Sequence, residues 1–152
     1  MNLRAVFASF IAVLLVGCAS VPMESKEASD KAKQFSAPTK GMAGVYVYRG
    51  GGPGTALKKD ILIDGKCIGE SAPNVFFYEE VAGNQEHTIS TESEFSPNEL
   101  KLNTLSDMLY FVRQYIKLGV FVGGANLEVV EEANGKKAIQ ELEMAQKGIC
   151  GN

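Results

Sequence analysis

Ile61-Leu62-Ile63-Asp64-Gly65-Lys66-Cys67-Ile68-Gly69 decides the fold class. Two short apolar, β-branched segments flank an Asp-Gly pair. A two-residue hairpin turn of type I′ needs positive φ at both central residues, and Asp-Gly supplies that at little steric cost. The same texture continues on both sides. Upstream, Val45-Tyr46-Val47-Tyr48 is β-branched and aromatic, and residues 50–54 are a Gly/Pro turn cluster. Downstream, strand-like stretches at 75–81, 87–93, 100–102, 110–116 and 126–131 are separated by Ala82-Gly83-Asn84, Ser96-Pro97-Asn98 and further breaks. Many short strands at regular spacing predict a mainly β fold, a small antiparallel β-sandwich or barrel. The end differs. Residues 136–147 are good helix formers, and Ala138, Ile139, Leu142, Ala145 and Ile149 recur at spacings of three and four. That pattern predicts one C-terminal amphipathic helix covering the sheet, with Lys137, Gln140, Glu141 and Lys147 facing water.

The N-terminal 40 residues read differently. Residues 1–4 are short and polar with one positive charge, Arg4, and residues 5–16 form an apolar run broken only by Ser9. That run is about half of the ~20 residues a membrane-spanning helix needs, and its flanks are those of a secretory signal peptide. The following Leu15-Val16-Gly17-Cys18 resembles the lipobox of bacterial lipoproteins. The resemblance implies cleavage before Cys18, removal of residues 1–17, and acyl chains such as palmitate on Cys18. Two or more such chains hold a protein stably on a membrane. Ala19 is not the Asp that retains lipoproteins in the inner membrane, so the resemblance implies an outer-membrane anchor with the domain facing the periplasm. Residues 18–40 are then expected to be a lipidated cysteine and a flexible tether, rich in Ser, Ala, Lys and Glu with Val21 and Phe35 as the large aliphatic and aromatic residues. A free chain of that length reaches roughly 25 Å; a transient helix through residues 24–34 is the alternative. The folded domain is expected over residues 41–152.

The phrases Gly41-Met42-Ala43-Gly44-Val45-Tyr46-Val47-Tyr48-Arg49, Ile63 to Glu70, Val81-Ala82-Gly83, His87-Thr88-Ile89-Ser90, Tyr110-Phe111-Val112-Arg113-Gln114 and Leu127-Glu128-Val129-Val130 resemble a bacterial lipoprotein family known as domain of unknown function 2846. The likeness runs over residues 41–147 and implies a location and a fold, without an activity. Residues 63–90 also resemble the PEGA repeats of surface proteins, which implies an immunoglobulin-like or prealbumin-like sandwich. Ser106-Asp107-Met108-Leu109 departs from the family's usual Gly-x-x-Tyr-Tyr phrase, which leaves the turn there open.

Composition narrows the chemistry. Of 152 residues, 45% are hydrophobic, and losing Arg4 with residues 1–17 leaves 14 basic against 18 acidic side chains, a net charge of −4. No basic patch points to nucleic acid. With Cys18 consumed by lipid, Cys67 and Cys150 remain in an oxidising compartment, even in number. A Cys67–Cys150 disulfide would stabilise by roughly 4 kcal/mol; two separate buried thiols are the alternative. There is no CxxC motif, no zinc-ligand spacing and no Asp/Asn-rich calcium loop, so neither cofactor nor metal is expected. His87 is the single histidine, and a Ser-His-Asp or Cys-His site would have to use it. Ser90 lies at an odd offset and points to the opposite strand face, which favours a turn histidine. Glu79/Glu80, Glu92/Glu94 and Glu131/Glu132 are paired carboxylates of the kind glycosidases use, but charged strand edges explain them as well. Gly50 to Gly54 lacks the ending of a phosphate loop. The aromatic strands suggest a partner-binding patch of Tyr46, Tyr48, Arg49, Arg113 and Tyr115, unless the helix and loops cover that face as a second core layer. The resulting expectation is a non-enzymatic binding or accessory lipoprotein, attached to the membrane through Cys18, with an envelope protein or glycan as partner. An envelope hydrolase using His87 or paired carboxylates, and a purely structural surface lipoprotein, are the alternatives.

Overall fold

The computed structural model describes residues 19–151. Nine strands form two sheets. The first, five-stranded, has the order β8-β7-β1-β4-β9, and the second, four-stranded, the order β3-β2-β5-β6. The chain alternates between them. β1 (Met42–Arg49) lies at the centre of the first sheet; β2 (Lys59–Ile63) and β3 (Lys66–Ser71) form the hairpin in the second; β4 (Val75–Ala82) returns beside β1. β5 (Gln85–Thr91) and β6 (Asn98–Thr104) complete the second sheet, then β7 (Leu109–Lys117) and β8 (Gly124–Val130) complete the first. The arrangement is a sandwich, as expected, and Asp64 and Gly65 take φ of 51° and 77° in the hairpin turn, the positive values a type I′ turn requires.

The sheets are not purely antiparallel. β1 pairs in parallel with β7, and β4 in parallel with β9 (Glu143–Met144). The cause is the alternation between sheets: β7 runs beside β1 only after two excursions through the second sheet, so no hairpin constrains its direction.

Between the sheets lies one core, with Val45 and Val47 of β1, Phe77 of β4 and Val112 of β7 facing Ile61, Ile68 and Ile89. A second apolar layer covers the opposite face of the first sheet: Tyr46, Tyr48, Phe76 and Phe111 pack under Ile139 and Leu142, with Phe35 alongside. Both parities of β1 are therefore buried.

The C-terminal helix is shorter and earlier than the periodicity predicts. α2 spans Glu132–Gln140. Asn134-Gly135 reads as a break in sequence, yet Gly135 lies inside the helix, where the missing side chain lets the backbone seat against the Phe111 ring. Beyond Glu141 the chain leaves the helix because the free edge of β4 offers backbone partners: Glu143 donates to the Asn74 carbonyl at 3.2 Å and Ala145 to the Phe76 carbonyl at 3.0 Å. Ile139, Leu142 and Ala145 are buried as the spacing implies, but the last lies past β9 rather than on a helix, and Ile149 stays 46% exposed.

Residues 19–40, expected as a tether, lie on the domain. α1 (Lys26–Ala32) is capped by Ser25, whose hydroxyl accepts from the Ala28 amide, close to the alternative helix over 24–34. Val21 inserts into the core between the sheets, and the Phe35 ring sits edge-on to Tyr46 and Phe111 at 5.4 and 5.9 Å. Ser29 is buried, donating to Glu143 and accepting from the Met144 amide. The low apolar content misleads because the few large residues present are the ones that fill gaps. The signal segment 1–17 and Cys18 lie outside the described residues.

Candidate functional site

Cys67 and Cys150 are joined as a disulfide with Cα atoms 6.2 Å apart. The bridge fixes a C-terminal segment that laces the two sheets together. Ala145 bonds β4 in the first sheet; Gly148 donates to the Ile68 carbonyl at 2.8 Å, and Glu70 of β3 donates to the Ile149 carbonyl at 2.7 Å in the second.

His87, expected as a turn histidine whose ring bonds backbone or solvent, is buried and bonds backbone and the Asp64 carboxylate. Its Nδ1 lies 2.6 Å from Asp64 Oδ2 and its Nε2 2.8 Å from the Ala82 carbonyl oxygen. Both partners are acceptors, so this setting favours the charged ring, which can donate from both nitrogens. Burial alone would lower its pKa, but the Asp64 carboxylate and the Ala82 carbonyl together raise it above the ordinary histidine value. Bonding from His87 holds the Asp64 carboxyl below its usual range. A shallow depression of about 300 Å³ does bring Asp64, His87, Glu79 and Glu80 to one surface. The carboxylates there have structural partners: Glu79 pairs with Lys66 and Lys147, and Glu80 accepts from the Thr39 amide and the Tyr78 hydroxyl. Glu92 accepts from the Asp60 amide. The Asp64–His87 pair escaped the sequence reading, although Asp64 in a hairpin turn and a histidine at a strand start were both visible; their register across β2 and β5 was not.

The proposed aromatic patch is not a surface. Tyr46, Tyr48 and Arg49 are 2%, 5% and 3% exposed: α2 and the Phe35 segment cover the two tyrosines as a second core layer, and Arg49 lies at the opposite parity of β1. Arg49 instead binds the glycine loop, donating to the carbonyls of Leu57 at 2.7 Å and Gly54 at 2.5 Å. Only Arg113 and Tyr115 remain accessible, with the guanidinium 5.5 Å over the ring and paired to Glu128 at 3.0 Å.

Beside the covered face, an open cleft of about 390 Å³ lies between the α1 segment and the first sheet. Ala28, Ala32, Ala37 and Met144 give it an apolar lining; Tyr78, Glu80, Lys31 and Ser36 supply polar groups. Tyr46 donates from its hydroxyl to the Ala32 carbonyl at 2.7 Å, and burial pushes its pKa up to about 12. Tyr78 is raised too, by burial and by its bond to Glu80. Both phenols are therefore neutral hydrogen-bonding groups at any physiological pH. Among the described residues, no group of three or more His, Cys, Asp or Glu side chains is placed to hold a metal.

The family model described as protein of unknown function (DUF2846) matches residues 39–125. The chain belongs to this family. A relative of this DUF2846 protein, an uncharacterized protein of Haemophilus influenzae, is 59% identical over 135 residues, which is 89% of this chain and 80% of the relative. No solved structure matches. The family match takes in β1 to β7, Cys67 and the Asp64–His87 pair. It ends before α2, β9 and Cys150, so the lacing segment lies outside it.

One surface of this DUF2846 protein has no counterpart in the sequence reading. The β7–β8 loop presents Leu118, Val120, Phe121 and Val122 to solvent, and Phe95 of the β5–β6 loop stands beside them with its ring centroid 6.5 Å from that of Phe121. Leu118 is 96% and Phe121 82% exposed. Glu94 secures the loop from beneath: its carboxylate accepts from the amides of Val120 (2.6 Å), Phe121 and Val122 (3.3 Å). Three amides converge on one carboxylate; desolvation alone would raise the Glu94 carboxyl, and the three amides together outweigh it and hold it below the usual range.

Proposed function

We propose that this chain is a cell-envelope lipoprotein, held on the outer membrane through acyl chains on Cys18, facing the periplasm, with a non-enzymatic binding or accessory role. The anchor reading rests on residues 1–18: one early positive charge, an apolar run too short to span, and Leu15-Val16-Gly17-Cys18 at its end. The Cys67–Cys150 bridge agrees with an oxidising compartment. No helix among the described residues is long and apolar enough to cross a membrane, so acyl chains would supply the attachment. The observation that carries the binding role is the open cleft of about 390 Å³ between the α1 segment and the first sheet. The cleft lined by Tyr78, Glu80 and Lys31 offers a seat for a small ligand, because the neutral Tyr78 phenol and an apolar floor suit a glycan or an extended peptide.

The test is labelling of cells with radioactive palmitate. The full-length protein should carry label and sediment with outer membrane on density fractionation, and Cys18→Ser should lose both. A wild-type protein without label, or found in the soluble periplasm, refutes the anchor.

A further inference from the structure

The exposed apolar loop lies beside the place where the anchored residue joins the domain. Ala19, peptide-bonded to Cys18, donates its amide to the Thr55 carbonyl at 2.8 Å. The 50–57 loop that contains Thr55 is in turn seated on the base of the β7–β8 loop. A Cβ on Gly54 would lie 2.8 Å from Ile116, and one on Gly123 would lie 2.6 Å from Leu57. Leu118 to Val122, Phe95 and the first residue after Cys18 thus belong to one end of the sandwich.

We infer that Leu118, Val120, Phe121 and Phe95 form a shallow membrane-inserting tip that lies in the lipid interface beside the acyl chains of Cys18. The inference rests on the anchor reading above. The occupant is a bilayer, and three features favour it. An acylated Cys18 brings lipid within one residue of Ala19, so this end of the domain meets the headgroups whatever else the protein binds. The amides of Val120, Phe121 and Val122 are already paired with Glu94, so moving the loop out of water strands none of these three donors, which is the main cost of putting irregular backbone into lipid. Insertion is shallow because the ionised Glu94 must stay wet, whereas the exposed Lys117 at the root of the loop can reach headgroup phosphates with its ammonium.

The chain has no tryptophan, so single substitutions give unique optical reporters. Full-length protein exported and acylated in cells would be reconstituted into vesicles of phosphatidylethanolamine and phosphatidylglycerol containing phosphatidylcholine brominated on its acyl chains. Phe121→Trp and, as a second reporter, Leu118→Trp should lose most of their emission to the bromines and shift to shorter wavelength. Quenching should be stronger with bromines near the headgroup than near the chain ends. Leu105→Trp, at the opposite end of β7 where Leu105 is 60% exposed, should be unaffected. Intact mass of the same samples reports the acyl groups on Cys18. Acylated protein whose Phe121 and Leu118 reporters are quenched no more than the Leu105 reporter overturns the tip and leaves the anchor standing. Protein with an unmodified Cys18 overturns the anchor, and the tip with it.

Discussion

Replacing both Cys67 and Cys150 by alanine removes the cross-link while leaving the lacing hydrogen bonds in place. The disulfide spans 83 residues of separation. On the loop-entropy relation a closure of that size withdraws about 15 cal/mol/K from the unfolded chain, or about 4.5 kcal/mol at 25 °C. The native state offers little to offset the loss, because the Gly148–Ile68 and Ile149–Glu70 bonds form with or without the bridge. The double variant should therefore unfold in urea at a midpoint lower by the equivalent of about 4 kcal/mol. Its m-value should rise, since an uncrosslinked unfolded chain exposes more surface. Hydrogen exchange supplies the local half of the reasoning. The amides of Glu70, Gly148 and Gly151, the last bonded to Asp60 at 2.9 Å, should lose protection, whereas those of β1 should lose it only to the extent that global stability falls. A loss under about 1 kcal/mol with an unchanged m-value would refute the argument that the bridge acts by restricting the unfolded chain.

Raising pH through the elevated pKa of His87 should cost stability. Its imidazolium contributes fully below the unfolded value of about 6.5, and the contribution fades as pH climbs through the folded one. Asp64, held low by His87, contributes above about pH 3.9 and loses its contribution as pH falls through its depressed folded value. Urea midpoints taken against pH should fall on both sides of that window in wild type, and His87→Gln should flatten the alkaline limb. Gln114 is buried between the sheets, accepting from Ser71 and donating to Thr91 at 2.6 Å. Gln114→Ala should cost about 3 kcal/mol from a cavity plus a stranded serine hydroxyl, and the volume-matched Gln114→Leu should cost less; a smaller loss for the alanine would contradict this. Gly135→Ala would ordinarily gain about 1 kcal/mol of helix propensity. Here the new methyl meets the Phe111 ring, so the melting temperature should drop, with the overpacking cost of about 1–3 kcal/mol outweighing the gain.

The strands from β1 to β8 were legible because they carry local signals: Asp-Gly at a hairpin, Asn84 at positive φ in a turn, and β-branched pairs between them; β9, inside the stretch that reads as helix, was not. Pairing was not legible. The partners of β1 are β4 and β7, and nothing local to Val45 or Val112 distinguishes a parallel neighbour from an antiparallel one. The helix was half legible for a related reason. Ile139, Leu142 and Ala145 are buried at helical spacing, but a short turn after Gln140 places the last of them on an extended chain with the same periodicity. Tyr46 and Arg113 mark the corresponding limit for the site. Alternation sorted the residues of each strand into two faces, and whether a face is wet depended on what lies above it. Phe35 and α2 decided that, and neither is local to the strand they cover.

The packing of residues 19–40 changes what the proposed anchor could do. A free tether of that length would let the domain roam roughly 25 Å from the bilayer. With Ala19 bonded to Thr55 and Val21 in the core, the proposed lipid on the preceding residue would leave the domain a reach of only about one residue. A domain held so close would have few orientations, because only the end of the sandwich that carries Ala19 could face the lipid. The cleft at Tyr78 and Glu80 is lined by α1, which is tied to β9 through Ser29. Any motion that freed the N-terminal segment to lengthen the leash would therefore dismantle one wall of the cleft. On the proposed function, anchoring and ligand binding would thus be coupled through the same residues. Ser29→Ala, which removes the bonds to Glu143 and Met144, should loosen α1, raise amide exchange across residues 25–33 and weaken occupancy of the cleft, while leaving palmitate on Cys18 unchanged. Unaltered exchange in that variant would mean that the N-terminal segment is held by Val21 and Phe35 alone, and the coupling would be lost.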